Sequence, residues 1–293
     1  MPESAIAVEK ALVCLCGGSA WKTVFTYDRP PEGEVQFQFS ATESYHRQVV
    51  QCRACGHFRS VHAMKMSQFY QDEYMSATYG DDGIRRAFDR INALEPSTSD
   101  NIGRVNRLLE FSTTHFAHRD PATPRTVLDV GSGLCVFLHR MKMAGWVCAA
   151  LDPDPRAAAH ARHVVGVDAV CGDFLTVRGL GVFDVLTFNK VLEHVKDPVA
   201  MLKIASTHVK PDGFVYVEVP DGECAALDGP GREEFFIDHW HIFSAVSLAL
   251  LASRAGFSLR ALGRLKEPST KYTLRAFLAP QPSPPRPTCK GMT

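Results

Sequence analysis

Two groups of residues in this chain have the types and spacing to do chemistry. The first is Val127-Leu128-Asp129-Val130-Gly131-Ser132-Gly133, followed by Ala149-Ala150-Leu151-Asp152-Pro153. An apolar run enters a glycine turn, and a second apolar run ends on a carboxylate about 20 residues on. That is how a parallel sheet holds a nucleoside: the glycines admit the ligand to the backbone and the acid accepts from ribose hydroxyls. A dinucleotide fingerprint needs one more glycine so that a helix N-terminus can receive pyrophosphate. Val136 stands at that position, and no Gly-Lys-Ser/Thr follows to make a phosphate loop. The ribose contact is kept and the phosphate clamp is lost. S-adenosylmethionine, a nucleoside without phosphate, suits that pattern better than NAD or ATP.

The second group is four cysteines in two pairs, Cys14-Leu15-Cys16-Gly17-Gly18 and Cys52-Arg53-Ala54-Cys55-Gly56. They resemble the two knuckles of a zinc ribbon: Zn2+ wants four tetrahedral ligands, and a small segment with little core needs a staple. A glycine after each pair suits the tight turn that aims N–H groups at thiolates. The second pair has the usual C-x-x-C spacing and the first is C-x-C, so the alternative is a set of reduced structural cysteines. His57, beside the second pair, reads as an exposed residue rather than a ligand.

The elements that must position these groups follow from periodicity and punctuation. Alternating segments at Val35–Phe39 and Arg47–Val50 read as short strands between the cysteine pairs. A polar, tyrosine-bearing connector covers Phe69–Tyr79. Helical periodicity runs from about Gly83 to Phe116, broken at Pro96 and restarted at Ser99 or Asp100. From Thr126 the chain alternates strands (Thr126–Val130, Val147–Leu151, Ala169–Cys171, Phe183–Phe188, Phe214–Val219) with helices (Leu134–Ala144, Pro155–Val164, Pro198–His208). Lys210-Pro211-Asp212-Gly213 reads as the stop of the last helix. A long loop to His241, a helix near Val246–Ala255 and a strand pair at Phe257–Arg264 and Tyr272–Leu278 complete the pattern. The fold class is therefore α/β, a doubly wound, mostly parallel, seven-stranded Rossmann-like sheet with a small N-terminal zinc-ribbon-like module. The division is 1–68 for the module, 69–122 for a connector and helical lead-in, 123–279 for the sheet domain, and 280–293 for a proline-rich, disordered tail.

Composition narrows the partners. The 293 residues carry 32 Lys and Arg against 32 Asp and Glu, a net charge of zero that offers no broad surface to a polyanion. Nucleic acid is thus an unfavoured partner. No apolar run approaches the roughly 18 residues that span a bilayer. The N-terminus lacks a basic region followed by an apolar core, so the chain reads as cytoplasmic. There the nine cysteines stay reduced, and pairs of them are better metal ligands than disulfides.

Taken together, VLDVGSG, ALDPDP, CGDF, FDVLTFNKVLEHVKDP and LKPDGFVYVEVP resemble, in order and spacing, the motifs of the class I S-adenosylmethionine-dependent methyltransferases over residues 120–280. That family often has a third glycine where this chain has Cys135. The resemblance implies S-adenosylmethionine as cofactor. Asp129, Gly131 and Gly133 would form its turn, Asp129 ordering the loop or approaching the methionine ammonium, and Asp152 would be the ribose ligand. Asp173 and Phe174 would border the adenine, the ring of Phe174 covering it, and Asn189 would stand where the fourth strand meets the crevice. The bland readings are a helix cap for Asp152 and a simple turn for Asp173. A cysteine-pair module on such a domain further resembles the sugar-nucleotide C-methyltransferases. Their His-Glu-His motif before Phe-Ser is similar to Ile237-Asp238-His239 here, with Ile237 in place of the first histidine. Their active-site histidine falls on His194. The resemblance thus implies His239, His194 and Asp238 as catalytic residues, histidine being suited to take a proton near neutral pH. His241 reads as packed with Trp240 under the sheet.

The expected function is methyl transfer to carbon or oxygen of a sugar nucleotide, glycan or related small metabolite, with histidine general-base assistance and a structural Zn2+. The alternatives are an RNA methyltransferase with a zinc module and a non-catalytic zinc-dependent docking protein.

Overall fold

A computed structural model of the protein describes residues 12–34, 45–64 and 83–281. The strand expected at Val35–Phe39, the connector and most of the tail lie outside these residues. Three strands open the fold, β1 (Trp21–Tyr27), β2 (Arg47–Cys52) and β3 (Phe58–His62), each antiparallel to the next. The helical lead-in is α1 (Gly83–Asn92), a 3-10 turn at Pro96–Thr98 and α2 (Asp100–His115). Pro96 makes the break, and Ser99 restarts the helix by accepting from the Ile102 N–H at 3.2 Å.

Next, β4 (Thr126–Val130), β5 (Val147–Asp152), β6 (Asp168–Cys171), β7 (Phe183–Asn189) and β8 (Val209–Pro220) pair in parallel. Near-continuous apolar runs such as Val127-Leu128 and Val215-Tyr216-Val217 are what a sheet covered on both faces requires. On one face Leu128, Leu186 and Val217 pack with Leu202, Leu248 and Leu251. On the other, Val127, Val185 and Tyr216 pack with Leu108, Leu138 and Met141. The helices are α3 (Val136–Met143), α4 (Pro155–His160), α5 (Pro198–Ala205), α6 (Gly222–Asp228) and α7 (Ala245–Arg254). The last two strands, β10 (Phe257–Lys266) and β11 (Tyr272–Pro280), give the order β10-β11-β8-β7-β4-β5-β6, with β11 antiparallel to both neighbours. The expected seven-stranded, mostly parallel sheet is therefore present.

Some local expectations are corrected. Lys210–Gly213 does not end a helix, because α5 stops at Ala205. The four residues form an excursion within β8, between the pairing of Val209 with Phe183 and that of Phe214 with Val185. Pro211 fits there because a bulge does not need its missing N–H. The helix that starts at Pro155 continues beyond His160 as a π turn, Ala161–Val165. The long loop after β8 holds α6, a 3-10 turn at Glu233–Phe235 and a two-residue strand, β9 (His241–Ile242).

That short strand joins the two parts of the molecule. β9 pairs with β3, Phe58 opposite Ile242 and Arg59 opposite His241, so the small sheet runs β1-β2-β3-β9. Covering the β3 edge removes a row of unpaired backbone groups. His57, expected to be exposed, is fully buried and bonds to His241 (Nε2 to Nδ1, 2.9 Å) and to the Ser247 hydroxyl (3.1 Å). His241 is thus structural through His57 rather than through Trp240. Burial holds its pKa down to about 3, so this pair stays neutral. Glu34 completes the joint: its buried carboxylate takes Arg47 at 2.8 Å and the Ile237 N–H at 2.7 Å.

Gly222, the first residue of α6, has ordinary φ, but a Cβ there would stand 2.6 Å from the Phe58 ring and 3.0 Å from Ile242. Gly222→Ala favours the helix and crowds the joint. Urea unfolding should show a net loss of about 1–3 kcal/mol, the usual penalty for overpacking. An unchanged or higher midpoint would mean that the small sheet does not press on α6.

Candidate active site

The glycine turn is built by close approach as much as by conformation. Gly131 has φ of 72°, and a Cβ on it would stand 2.7 Å from Val191 of the loop after β7. Its N–H donates to the Leu151 carbonyl at 2.7 Å, tying the turn to β5. Gly133 has φ of 49° and open space where a side chain would go. Its N–H donates to Asp152 Oδ2 at 2.8 Å, and the Asp154 N–H donates to Oδ1 at 2.9 Å. Asp152 thereby fixes the turn while each oxygen keeps a second lone pair. Burial raises its pKa and these two N–H groups pull against that rise. The residue in place of the third glycine, Cys135, is buried and holds the left-handed conformation itself, with φ of 58°. The turn keeps its glycine-like shape at the cost of a mildly unfavourable backbone.

Sheet order doubles back between β4 and β7, the switch point where open α/β sheets bind ligands. Asp129 and Asn189 meet across it. The Asp129 carboxylate accepts from Thr187 Oγ1 at 2.6 Å and from Asn189 Nδ2 at 2.9 Å. Burial pushes its pKa up to about 7, against the pull of these two donors. Asn189 Oδ1 and Ser132 Oγ are buried there without hydrogen-bond partners. Asp173 is exposed at the end of β6, its Oδ1 accepting from the Leu175 N–H at 2.9 Å. Phe174 departs from expectation: it is 2% exposed and packs edge-on against Phe188, inside the core. Its ring anchors the turn and offers no open face to a ligand.

The histidines converge. His194 and His239 lie edge to face with ring centroids 4.9 Å apart, on a cavity of about 270 Å³ that Lys190, Glu193, Glu234 and Asp238 also line. Asp238 holds His194: its carbonyl takes His194 Nδ1 at 3.0 Å, with its carboxylate at 3.7 Å. His239 Nδ1 points to the Glu234 carbonyl at 2.9 Å. A carbonyl only accepts, so each Nδ1 carries a hydrogen. Lys190, with φ of 60°, reaches Thr273 Oγ1 at 2.8 Å, and burial lowers its pKa. A larger groove of about 570 Å³ lies along α2 and β11, at Phe111, His115, Arg260 and Phe277, and contains none of these residues.

Sequence reasoning assigned no role to Glu193, which is 1% exposed with both carboxylate oxygens unpartnered. An acid inside the apolar run Val191-Leu192-Glu193 was the available signal. It likewise overlooked Glu218, buried at the end of β8 and held by Arg104 at 2.7 Å and Arg107 at 3.1 Å from α2. Arg104 and Arg107 lie one helical turn apart but 114 and 111 residues from Glu218, so nothing local in the sequence announces such a clamp.

The family model for the methyltransferase domain matches residues 84–262. The chain belongs to this methyltransferase family. It is similar to the ubiquinone biosynthesis O-methyltransferase of Caulobacter vibrioides, 32% identical over 118 residues that cover 38% of this chain and 47% of that protein. The protein of the same name from Pseudomonas paraeruginosa is 30% identical over 139 residues, 45% of this chain and 56% of the relative. The chain thus spans about half the length of the curated relatives it matches. Among solved structures, an S-adenosylmethionine-dependent methyltransferase from Clostridium acetobutylicum superposes with a TM-score of 0.52 at 10% identity, covering 68% of this chain and 99% of that one. The magnesium protoporphyrin IX methyltransferase of Synechocystis gives 0.50 at 13% identity, over 71% and 97%. At these identities the likeness is one of fold.

The chain's four N-terminal cysteines come together. Cys14 and Cys55 Sγ are 3.4 Å apart, Cys16 and Cys52 Sγ 3.6 Å, and all four lie within 4.8 Å of one another. Gly17 and Gly56 take positive φ beside them, and the Gly18 N–H points at Cys16 Sγ at 3.3 Å. Four sulfur donors at this spacing fit tetrahedral Zn2+. Metal analysis of the purified protein should therefore find about one zinc per chain. Cys52→Ser with Cys55→Ser should lose it and expose the small sheet to protease, because binding energy at such a site is folding energy. A metal-free protein whose small sheet resists protease would contradict this.

Proposed function

We propose that this methyltransferase transfers a methyl group from S-adenosylmethionine to carbon or oxygen of a small-molecule acceptor, a sugar nucleotide, glycan or related metabolite. The observation that carries the proposal is that one loop serves both features: Val191 packs on Gly131 of the carboxylate-held glycine turn, and Glu193 and His194, two and three residues on, line the histidine cavity. The residues present suit the cofactor. Asp152 has lone pairs left for ribose hydroxyls, the space at Gly133 admits a ligand to the backbone, and Asn189 Oδ1 lacks a donor that a methionine ammonium would supply. When bound, the cofactor supplies a sulfonium methyl group.

The chain's own task is then to hold the acceptor in line and take its proton. His194 and His239 both line the cavity, and the carbonyls of Asp238 and Glu234 hold Nδ1–H, which leaves Nε2 as the nitrogen that would take the proton. The cavity's carboxylates are acceptors for the hydroxyls of a polyhydroxylated substrate. A second reading, O-methylation of an acceptor in quinone biosynthesis, draws on the names of the curated relatives, with which about half of their length is shared. The balanced charge of the chain supports either over an RNA acceptor.

Calorimetry should show binding of S-adenosylmethionine and none of NAD, with Asp152→Ala weakening it severely. Binding should also depend on Asp129. A methionine ammonium favours the ionised carboxylate, whereas burial keeps the ligand-free group protonated below about 7. Affinity should thus rise with pH through about 7 and level off above it, and Asp129→Asn should flatten the curve. Without ligand the sign reverses. The folded chain holds a proton that the unfolded chain has released, so this group's contribution to stability falls as pH rises through the same range. Tight NAD binding with none of the methyl donor would overturn the reading.

His239→Ala should lower turnover by a factor on the order of 10², the usual size of a general-base contribution, with cofactor affinity barely changed. Mass spectrometry of products from a library of sugar nucleotides and quinone precursors identifies the acceptor on which this is measured. Near-wild-type turnover of His239→Ala on that acceptor would make this histidine structural.

A further inference from the structure

We infer that Glu193, His194 and His239 form a second metal site, for one divalent cation, in the floor of the 270 Å³ cavity. One nitrogen from each histidine and one Glu193 oxygen lie within 4.8 Å of one another, a spacing that small side-chain adjustments bring onto a single ion. Two histidines and one carboxylate leave coordination positions open, the arrangement of metal sites that bind a substrate rather than staple a fold.

Two observations beyond the clustering point to a ligand. Glu193 is 1% exposed, and both its oxygens are buried with no hydrogen-bond partner. A carboxylate withdrawn from water and left unpaired is costly, and the cost is recovered when a cation or donor arrives. Lys190 on the same loop feels the charge of Glu193, but its ammonium hydrogen-bonds Thr273 Oγ1 at 2.8 Å and makes no hydrogen bond to either Glu193 oxygen. Second, both histidines donate Nδ1–H to backbone carbonyls, His194 to Asp238 and His239 to Glu234. That outer-sphere bond fixes the tautomer and ring angle of metal-ligating histidines in general.

The donor set separates this site from the cysteine cluster. Thiolates select Zn2+, whereas imidazole and carboxylate accept a wider range of first-row cations. What the ion does there rests on the proposed function: its open positions would take an oxygen of the acceptor, such as a hydroxyl or enolate. Ion and proton compete for the same two imidazoles, so the general-base role belongs to protein without this ion. Whether the ion binds is independent of that function.

The test uses full-length protein with zinc retained in the cysteine cluster, titrated with Co2+ and followed by visible absorption and by calorimetry. The expected result is one additional Co2+ per chain whose spectrum shows d–d bands and no thiolate charge-transfer band. Glu193→Gln and His239→Ala should each weaken that binding at least about tenfold, the lower end for disturbing a metal's ligand shell. Far-UV circular dichroism and S-adenosylmethionine binding, measured on the same samples, certify that the variants are folded. No further Co2+ bound at millimolar concentration would overturn the inference, and so would a further Co2+ held equally well by both folded variants. Loss of cofactor binding in the unaltered protein would instead defeat the proposed function and leave the metal result standing.

Discussion

The carboxylate of Asp152 is the constraint on which the upper edge of the large sheet depends. It closes β5 by accepting from the backbone N–H groups of Gly133 and Asp154, and so fixes the turn that follows β4. With the turn fixed, Gly131 sits against Val191, which leaves no room for a side chain and sets the path of the loop after β7. That loop carries Lys190, Glu193 and His194. A local pair of hydrogen bonds thus determines where chemistry two strands away can occur. The switch point does the rest, because strand order brings Asp129 of β4 beside Asn189 of β7.

The second constraint comes from the small sheet. Its edge strand β3 takes β9 from the loop after β8, and β9 begins two residues after His239. The buried His57–His241 pair, the hydrogen bond from Ser244 Oγ to the Cys55 carbonyl at 2.6 Å, and Glu34 on the Ile237 N–H hold this loop from three sides. The cysteine cluster therefore has a use beyond its own segment. By ordering the second knuckle it orders the strand partner of the loop that presents Asp238 and His239.

Much of this was legible in the sequence because the signals were local. The glycine turn, the acid closing β5 and the alternation of apolar runs each depend on neighbours within a few residues, and the seven-stranded sheet followed from them. Ser99 and Pro96 marked their helix boundary for the same reason. What escaped was long-range. His57 looked exposed because its partner His241 is 184 residues away. Phe174 looked like a ring over a ligand because nothing local says which face of a turn enters the core, and it packs on Phe188. The Lys210–Gly213 excursion looked like a helix stop because Pro-Asp-Gly punctuates both. Glu193 could be seen as an odd acid in an apolar run, but its unpaired state is visible only once the surrounding elements are assembled.

The claim at the centre of this account is that cofactor crevice and histidine cavity are one continuous site. A crystal structure with S-adenosylhomocysteine tests it most directly. The ribose hydroxyls should lie on Asp152, the homocysteine ammonium near Asp129 and Asn189, and the sulfur should be directed at the cavity between His194 and His239. A ligand bound at the glycine turn with its sulfur facing away from these histidines, or walled off from them by ordered protein, would contradict it.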